Sequence, residues 1–152
     1  MFKVSRQVEY ALLALKHMKR LDPDQVIPVR ELCRVQNVPF DVISRALQRL
    51  AKHEIVHATR GASGGYHIVG DLTQISLYDL VTIVDGAVEV VPCLSGSGRC
   101  KCGTLDDCDI ASPMVHLNAR LIAFFKTISL WELLETARQP GHTLLTAQAQ
   151  QT

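Results

Sequence analysis

Two apolar-periodic stretches separated by only three residues constrain this chain most. Residues 28–36 place Val29, Leu32 and Val35 at helical spacing, with Pro28 suited to open the helix. Residues 40–53 place Ile43, Ala46, Leu47 and Leu50 on one face. Between them Asn37-Val38-Pro39 leaves room for a tight turn alone, and two helices so joined form a helix-turn-helix unit. The next residues narrow the fold further. Residues 55–59 and 66–69 are short strand-like runs flanking Arg60-Gly61-Ala62-Ser63-Gly64-Gly65, a connection that predicts a β-hairpin. A hairpin directly after a recognition helix is a wing. Its glycines allow positive φ and close approach to a phosphate backbone.

The rest of the chain frames this unit. Val4, Val8, Ala11, Leu12, Leu15 and Met18 predict an amphipathic helix over residues 3–20, ended by Asp22-Pro23-Asp24. Ser76 reads as the N-cap of a helix through about residue 85 that buries Leu77, Leu80, Val81 and Val84. A long helix starts at Pro113, with Met114, Leu117, Leu121, Phe124 and Ile128 alternately three and four residues apart. That stripe suits either a helix–helix seam with a second copy or the domain's own core. Leu130, Leu133 and Leu134 mark a short last helix. The expected fold is mainly α with a small β-hairpin wing, a winged helix-turn-helix plus a long C-terminal dimerisation helix. Its parts are a DNA-binding domain (1–72), a connecting helix (73–90), a cysteine-rich loop (91–112), the dimerisation helix and short final helix (113–138), and a frayed tail (139–152).

Charge is divided unevenly although the net value is +1. Residues 1–70 carry eleven Lys and Arg against six Asp and Glu, whereas residues 71–152 carry five against nine. A basic first half suits a polyanion. No run approaches the eighteen apolar residues of a membrane span, and Arg6, Glu9 and Lys16 interrupt the apolar positions that a signal peptide would need. A cytoplasmic protein is expected. No nucleophile–base pair, phosphate loop or metalloprotease spacing is present, so an enzyme is not expected.

A recognition helix buries one face and offers polar side chains to base edges from the other. Here the outward set is Asp41, Ser44, Arg45, Gln48, Arg49 and Lys52. Arg45 or Arg49 can hold a guanine through two hydrogen bonds and Gln48 an adenine edge, while Lys52 suits a phosphate. Arg60, at the base of the wing, suits a narrow minor groove or the backbone.

Residues 93–108 read CLSGSGRCKCGTLDDC, with Cys93, Cys100, Cys102 and Cys108. Four thiolates in sixteen residues are soft ligands of the kind that zinc and iron–sulfur clusters require. The paired C-x-x-C knuckles of zinc ribbons are missing, and so are both ferredoxin spacings. A fifth cysteine, Cys33, beside Leu32, reads as a small packed side chain.

A winged helix-turn-helix, the stretch Arg60-Gly61-Ala62-Ser63-Gly64-Gly65-Tyr66 and a cysteine loop before a long helix resemble the IscR/NsrR/RirA family of bacterial regulators, the Rrf-two type. The resemblance spans roughly residues 1–137. It implies a homodimeric transcription factor whose bound iron–sulfur cluster, 2Fe–2S or 4Fe–4S, reports iron, cluster supply, oxidants or nitric oxide and changes affinity for a double-stranded operator. Matched residue by residue, the ligands fall on Cys93, Cys102 and Cys108, with Cys100 the rival for the middle place. IscR-like members carry a His three residues after the last cysteine, where this chain has Ala111. NsrR-like members borrow an acidic residue from the first helix of the partner subunit, and Glu9 aligns with it. Ser44 stands where IscR has an acidic residue, and Glu54 replaces the glycine usual after the recognition helix.

The expected function is therefore a dimeric repressor governed by a cluster. Two alternatives stand beside it. One is a thiol-switch repressor without iron, with Lys101 able to lower the pKa of its cysteine neighbours and Asp106 and Asp107 opposing it. The other is a zinc-stabilised interaction module with no role on DNA.

Overall fold

The computed structural model describes residues 4–89 and 108–135. Among these, the chain folds as expected into six helices and one two-stranded antiparallel hairpin. Helix α1 (Arg6–Met18) starts at Ser5, whose Oγ accepts from the Val8 N–H at 3.3 Å. That cap sets the helix start after Val4, which is left exposed rather than on the buried face as the periodicity predicts.

The helix-turn-helix consists of α2 (Val29–Gln36) and α3 (Phe40–Lys52). Pro28 is the N-cap of α2 in extended conformation, not its first helical residue. The reason lies one residue earlier. Ile27 pairs with Tyr66 of the hairpin through two backbone hydrogen bonds of 2.9 and 3.0 Å, so the chain reaches α2 as an extended strand. α2 buries Leu32 and half-buries Val29, Cys33 and Gln36. Val35 falls off this face and is 48% exposed, contrary to expectation. Asn37 takes the left-handed conformation (φ 53°), and the Val38 N–H reaches the Cys33 carbonyl at 3.2 Å. Asparagine tolerates that conformation better than most residues, which makes the predicted three-residue turn possible.

A second left-handed residue joins α3 to the wing. Glu54 has φ 57°, its N–H donates to the Ala51 carbonyl, and the Ile55 N–H donates to the Leu50 carbonyl at 3.0 Å. This is a Schellman turn, with buried Leu50 and Ile55 as its apolar pair. It consumes Ile55, so strand β1 (Val56–Thr59) begins one residue later than expected. β1 pairs with β2 (Gly65–Ile68) in the register Val56 to Ile68 and Thr59 to Gly65.

Helix α4 (Leu77–Val84) opens on a capping box: Ser76 Oγ accepts from the Asp79 N–H, and the Asp79 carboxylate accepts from the Ser76 N–H at 2.9 Å. α5 (Ala111–Thr127) starts two residues before Pro113. A proline fits there because first-turn N–H groups have no partner inside the helix. Helix α6 (Leu130–Glu135) closes the described chain, its Glu132 N–H held by Ser129 Oγ.

One core unites α1 to α4, the hairpin and α6. Leu15, Leu32, Ile43, Leu47, Leu50, Leu80 and Leu130 are all fully buried in it. The junction between α5 and α6 is tied to the segment after the wing by three backbone hydrogen bonds. The Leu77 N–H donates to Ile128 (2.8 Å), Leu130 to Ile75 (2.8 Å) and Trp131 to Leu72 (2.9 Å). Lys19, the C-cap of α1, fastens α6 as well, pairing with Glu135 and lying 3.6 Å from the centre of the Trp131 ring. No helix among the described residues is long and apolar enough to cross a membrane.

Candidate nucleic-acid interface and cysteine site

The recognition helix owes its geometry to what it buries. Ile43, Ala46, Leu47 and Leu50 pin one side of α3 against α1, α2 and α4. The opposite side then carries Asp41, Arg45, Gln48, Arg49 and Lys52, all exposed, with Ser44 half-exposed. These are the residues that the helical period assigns to the outward face. Arg60, also exposed, follows β1 directly at the root of the wing turn. The Schellman turn at Glu54 fixes the direction in which β1 leaves α3, so the wing and the recognition helix form one packed unit.

The wing glycines serve two ends, one expected from the sequence and one set within the protein. Gly61 alone among them has positive φ (115°), and its carbonyl accepts from the Gly64 N–H at 3.0 Å to close the turn. Gly65 is required by proximity within the protein. A Cβ there would lie 2.1 Å from the Ile27 carbonyl oxygen, at the bridge that guides the chain into α2. Gly64 is confined in the same way, by Thr59 and Gly61.

Sequence reasoning passed over two further basic residues. Arg30 and Arg34 stand four apart on the exposed side of α2, the helix that crosses the phosphate backbone in helix-turn-helix complexes. Their spacing on the polar side of an amphipathic helix was the signal available to find them.

Of the cysteine site, Cys93, Cys100 and Cys102 lie outside the described residues, as does the tail at 139–152. Cys108 is half-buried and unbridged at the head of α5, where its carbonyl accepts from the Ala111 N–H at 3.1 Å. Ala111 is the first residue of α5 and brings no donor atom. Glu9 is exposed in the first turn of α1, paired with Arg6 at 3.1 Å. An exposed pair of this kind is worth at most about 1 kcal/mol, so the carboxylate is easily released. Glu9 also lines a groove with Leu12, Leu13, Lys16, Leu133 and Leu134 between α1 and α6. Among the described residues no three His, Cys, Asp or Glu side chains converge on one point. His116 is exposed on α5. Cys33 is half-buried against the core, and burial pushes its thiol above the ordinary value despite a lowering backbone hydrogen bond. It is a packing residue, as its neighbours in the sequence imply.

The Met114–Ile128 stripe of α5 is only partly covered. Met114, Leu121 and Ile128 are half-buried, whereas Leu117 and Phe124 stand open, the latter 58% exposed; the buried residue of α5, Phe125, lies outside the stripe. Ile110 adds to this uncovered apolar surface, whereas Val115, also exposed, lies on the other side of the helix.

Comparison with known proteins bears on both halves of the site. Residues 4–136 match the model of the Rrf2 family, described as an iron-dependent transcriptional regulator. An rrf2-like HTH-type transcriptional regulator of Rhodobacter capsulatus is 32% identical over 108 residues, 69% of this chain and 70% of that one. The HTH-type transcriptional regulator IscR of Cronobacter sakazakii is 26% identical over 132 residues, 87% of this chain and 80% of that one. Among solved structures, CymR, the global cysteine regulator of B. subtilis, superposes with a TM-score of 0.68 at 16% identity, over 90% of this chain and 99% of its own. That last likeness concerns the fold. These relatives are transcription regulators, not enzymes.

Proposed function

The chain belongs to the Rrf2 family of DNA-binding transcriptional regulators, and on that footing we propose that it is a homodimeric cytoplasmic repressor whose operator affinity is set by an iron–sulfur cluster. The observation that carries this reading is the position of Cys108. The last thiol of the loop is joined by one hydrogen-bonded turn to the start of α5, and α5 presents the uncovered apolar surface on which a second copy would pack. The family description supplies the iron, and its match spans all four loop cysteines.

The donor set fits a cluster. Cys108 is half-buried and unbridged rather than packed in the core, and the loop holds three more soft thiolates within sixteen residues. Cys93, Cys102 and Cys108 would hold the group, with Glu9 of the partner subunit or Cys100 as fourth ligand. Ala111 excludes the histidine variant. When bound, such a group supplies a link that oxidants, nitric oxide or iron shortage can break.

The protein's own residues then transmit the change. Ligation through Cys108 would fix that residue and, through the Cys108–Ala111 turn, the first end of α5. The other end is held by the three hydrogen bonds to residues 72–77, which continue directly from the wing. A tilt of α5 is thereby delivered to the winged unit and alters the spacing of the two recognition helices. Half-sites lie about one helical turn, roughly 34 Å, apart, so a small change in spacing weakens binding. On DNA, Ser44, Arg45, Gln48 and Arg49 face bases, while Lys52, Arg60, Arg30 and Arg34 take phosphates.

The fourth loop cysteine, and the cysteine regulator among the fold neighbours, favour a second reading in which the loop works as a thiol switch without iron. The DNA-binding family speaks against a zinc module with no role on DNA. Iron and acid-labile sulfide per monomer, measured on protein purified without oxygen, separate the two regulator readings. Near-equal iron and sulfide support the cluster. Absence of both, with oxidant-sensitive operator binding, supports the thiol switch.

A further inference from the structure

α3 carries one large apolar side chain that its own domain does not cover. Ile43, Leu47 and Leu50 are fully buried, yet Phe40, the first residue of the helix, is 48% exposed. A phenylalanine left open in this way contributes little to the core, and it has no group with which to bind a phosphate. Its position is informative. Phe40, Ser44 and Gln48 follow one another at intervals of four, a single row along the helix flanking the polar face. The residues at the N-terminal end of a recognition helix are those that meet base edges. The apolar feature that a major groove offers there is the 5-methyl group of thymine.

We propose that Phe40 packs against a thymine 5-methyl group in each operator half-site and so selects thymine at that position. The inference rests on α3 entering the major groove. It adds an apolar discriminator to a face whose other contacts, from Arg45, Arg49 and Gln48, select by hydrogen bonding. Phe40 acts at the leading end of the helix, so its thymine lies beyond the base that Ser44 faces.

The test uses the full-length protein and the tightest duplex recovered from a random-sequence pool. Each thymine is replaced in turn by deoxyuridine, which removes only the methyl group, and Kd is measured for wild type, Phe40→Ala, Phe40→Leu and Arg45→Ala. Wild type is expected to lose about fourfold at one thymine of each half-site, the factor that corresponds to one methyl-sized apolar contact. Phe40→Ala binds the intact duplex more weakly and shows no further loss at that thymine. Phe40→Leu keeps part of the dependence, and Arg45→Ala keeps all of it. Equal losses in wild type and Phe40→Ala at every thymine would overturn the proposal, as would a wild type indifferent to every methyl. In the latter cases Phe40 would belong to a protein contact, while intact duplex binding would leave the DNA reading in place. A wild type that selects no duplex removes that reading and this inference with it.

Discussion

Glu54 holds φ 57° at the junction between the recognition helix and the wing, a conformation that costs a residue with a Cβ about 1 kcal/mol. Two backbone hydrogen bonds and the Leu50–Ile55 contact maintain it against that cost. Glu54→Gly is therefore expected to stabilise the fold by roughly 0.5–1 kcal/mol, raising Tm by about 3 °C in a thermal melt. A lower Tm would mean that the turn is not under strain. Gly65 makes the opposite case. Gly65→Ala drives a methyl group into the backbone at Ile27, and we expect a loss of about 2 kcal/mol or more in chemical denaturation. Because Ile27 leads into α2, the same variant should bind DNA more weakly even below its melting temperature. Both residues show where reading the sequence reached its limit. Glycine at 65 was visible, but its reason was a carbonyl thirty-eight positions earlier, a contact that no local pattern encodes. The left-handed turn at Glu54 was hidden in the residue type itself, and only the glycine usual at that position in the family it resembles pointed to it.

Among elements, α3 was the most legible. Its buried face follows from Ile43, Ala46, Leu47 and Leu50 at helical spacing, and the exposed set then follows by elimination. Neighbouring α2 was less so. It is only eight residues long, and its core-facing row includes Gln36 and Cys33 while Val35 points out, so hydrophobicity misjudges its orientation. β1 lost its first expected residue because a helix-terminating turn took Ile55, and β2 runs from Gly65 to Ile68, one residue earlier than the apolar run suggests. For the recognition surface, base and phosphate contacts separate by measurement. Arg45→Ala is expected to cost about 1–3 kcal/mol on the selected operator and to relax preference at one base position, without changing the salt slope much. Lys52→Ala should weaken binding to all duplexes alike and lower the slope of log K against log salt by about one. Equal behaviour of the two variants would show that α3 does not lie with its outward face in the groove.

At the scale of the whole molecule, α5 is the element that links the cysteine loop, the expected second copy and the winged unit. It is about 25 Å long, begins after Cys108 and ends at the hydrogen bonds to Ile75 and Leu77. Its open apolar residues are the feature that a monomer leaves unexplained. Phe124→Glu should leave the fold intact, since the side chain is exposed, and convert a dimer to a monomer in analytical ultracentrifugation. Operator affinity should fall with it, because two half-sites would no longer be bound as one. A variant still dimeric at micromolar concentration would place the interface elsewhere. The alternation of three and four in Met114, Leu117, Leu121, Phe124 and Ile128 made this helix legible, but not which of its residues the protein's own core covers. Met114, Leu121 and Ile128 are half-buried while Leu117 and Phe124 are open, a division that depends on tertiary packing.

The most direct test of cluster control is operator affinity, by fluorescence anisotropy, of anaerobically purified protein before and after removal of iron with a chelator. We expect Kd to change by about tenfold or more, equivalent to about 1.4 kcal/mol of coupling. The same treatment should leave a Cys93→Ser, Cys108→Ser double variant unaffected. An equal Kd for loaded and depleted wild type, or an equal response in the double variant, would contradict the account.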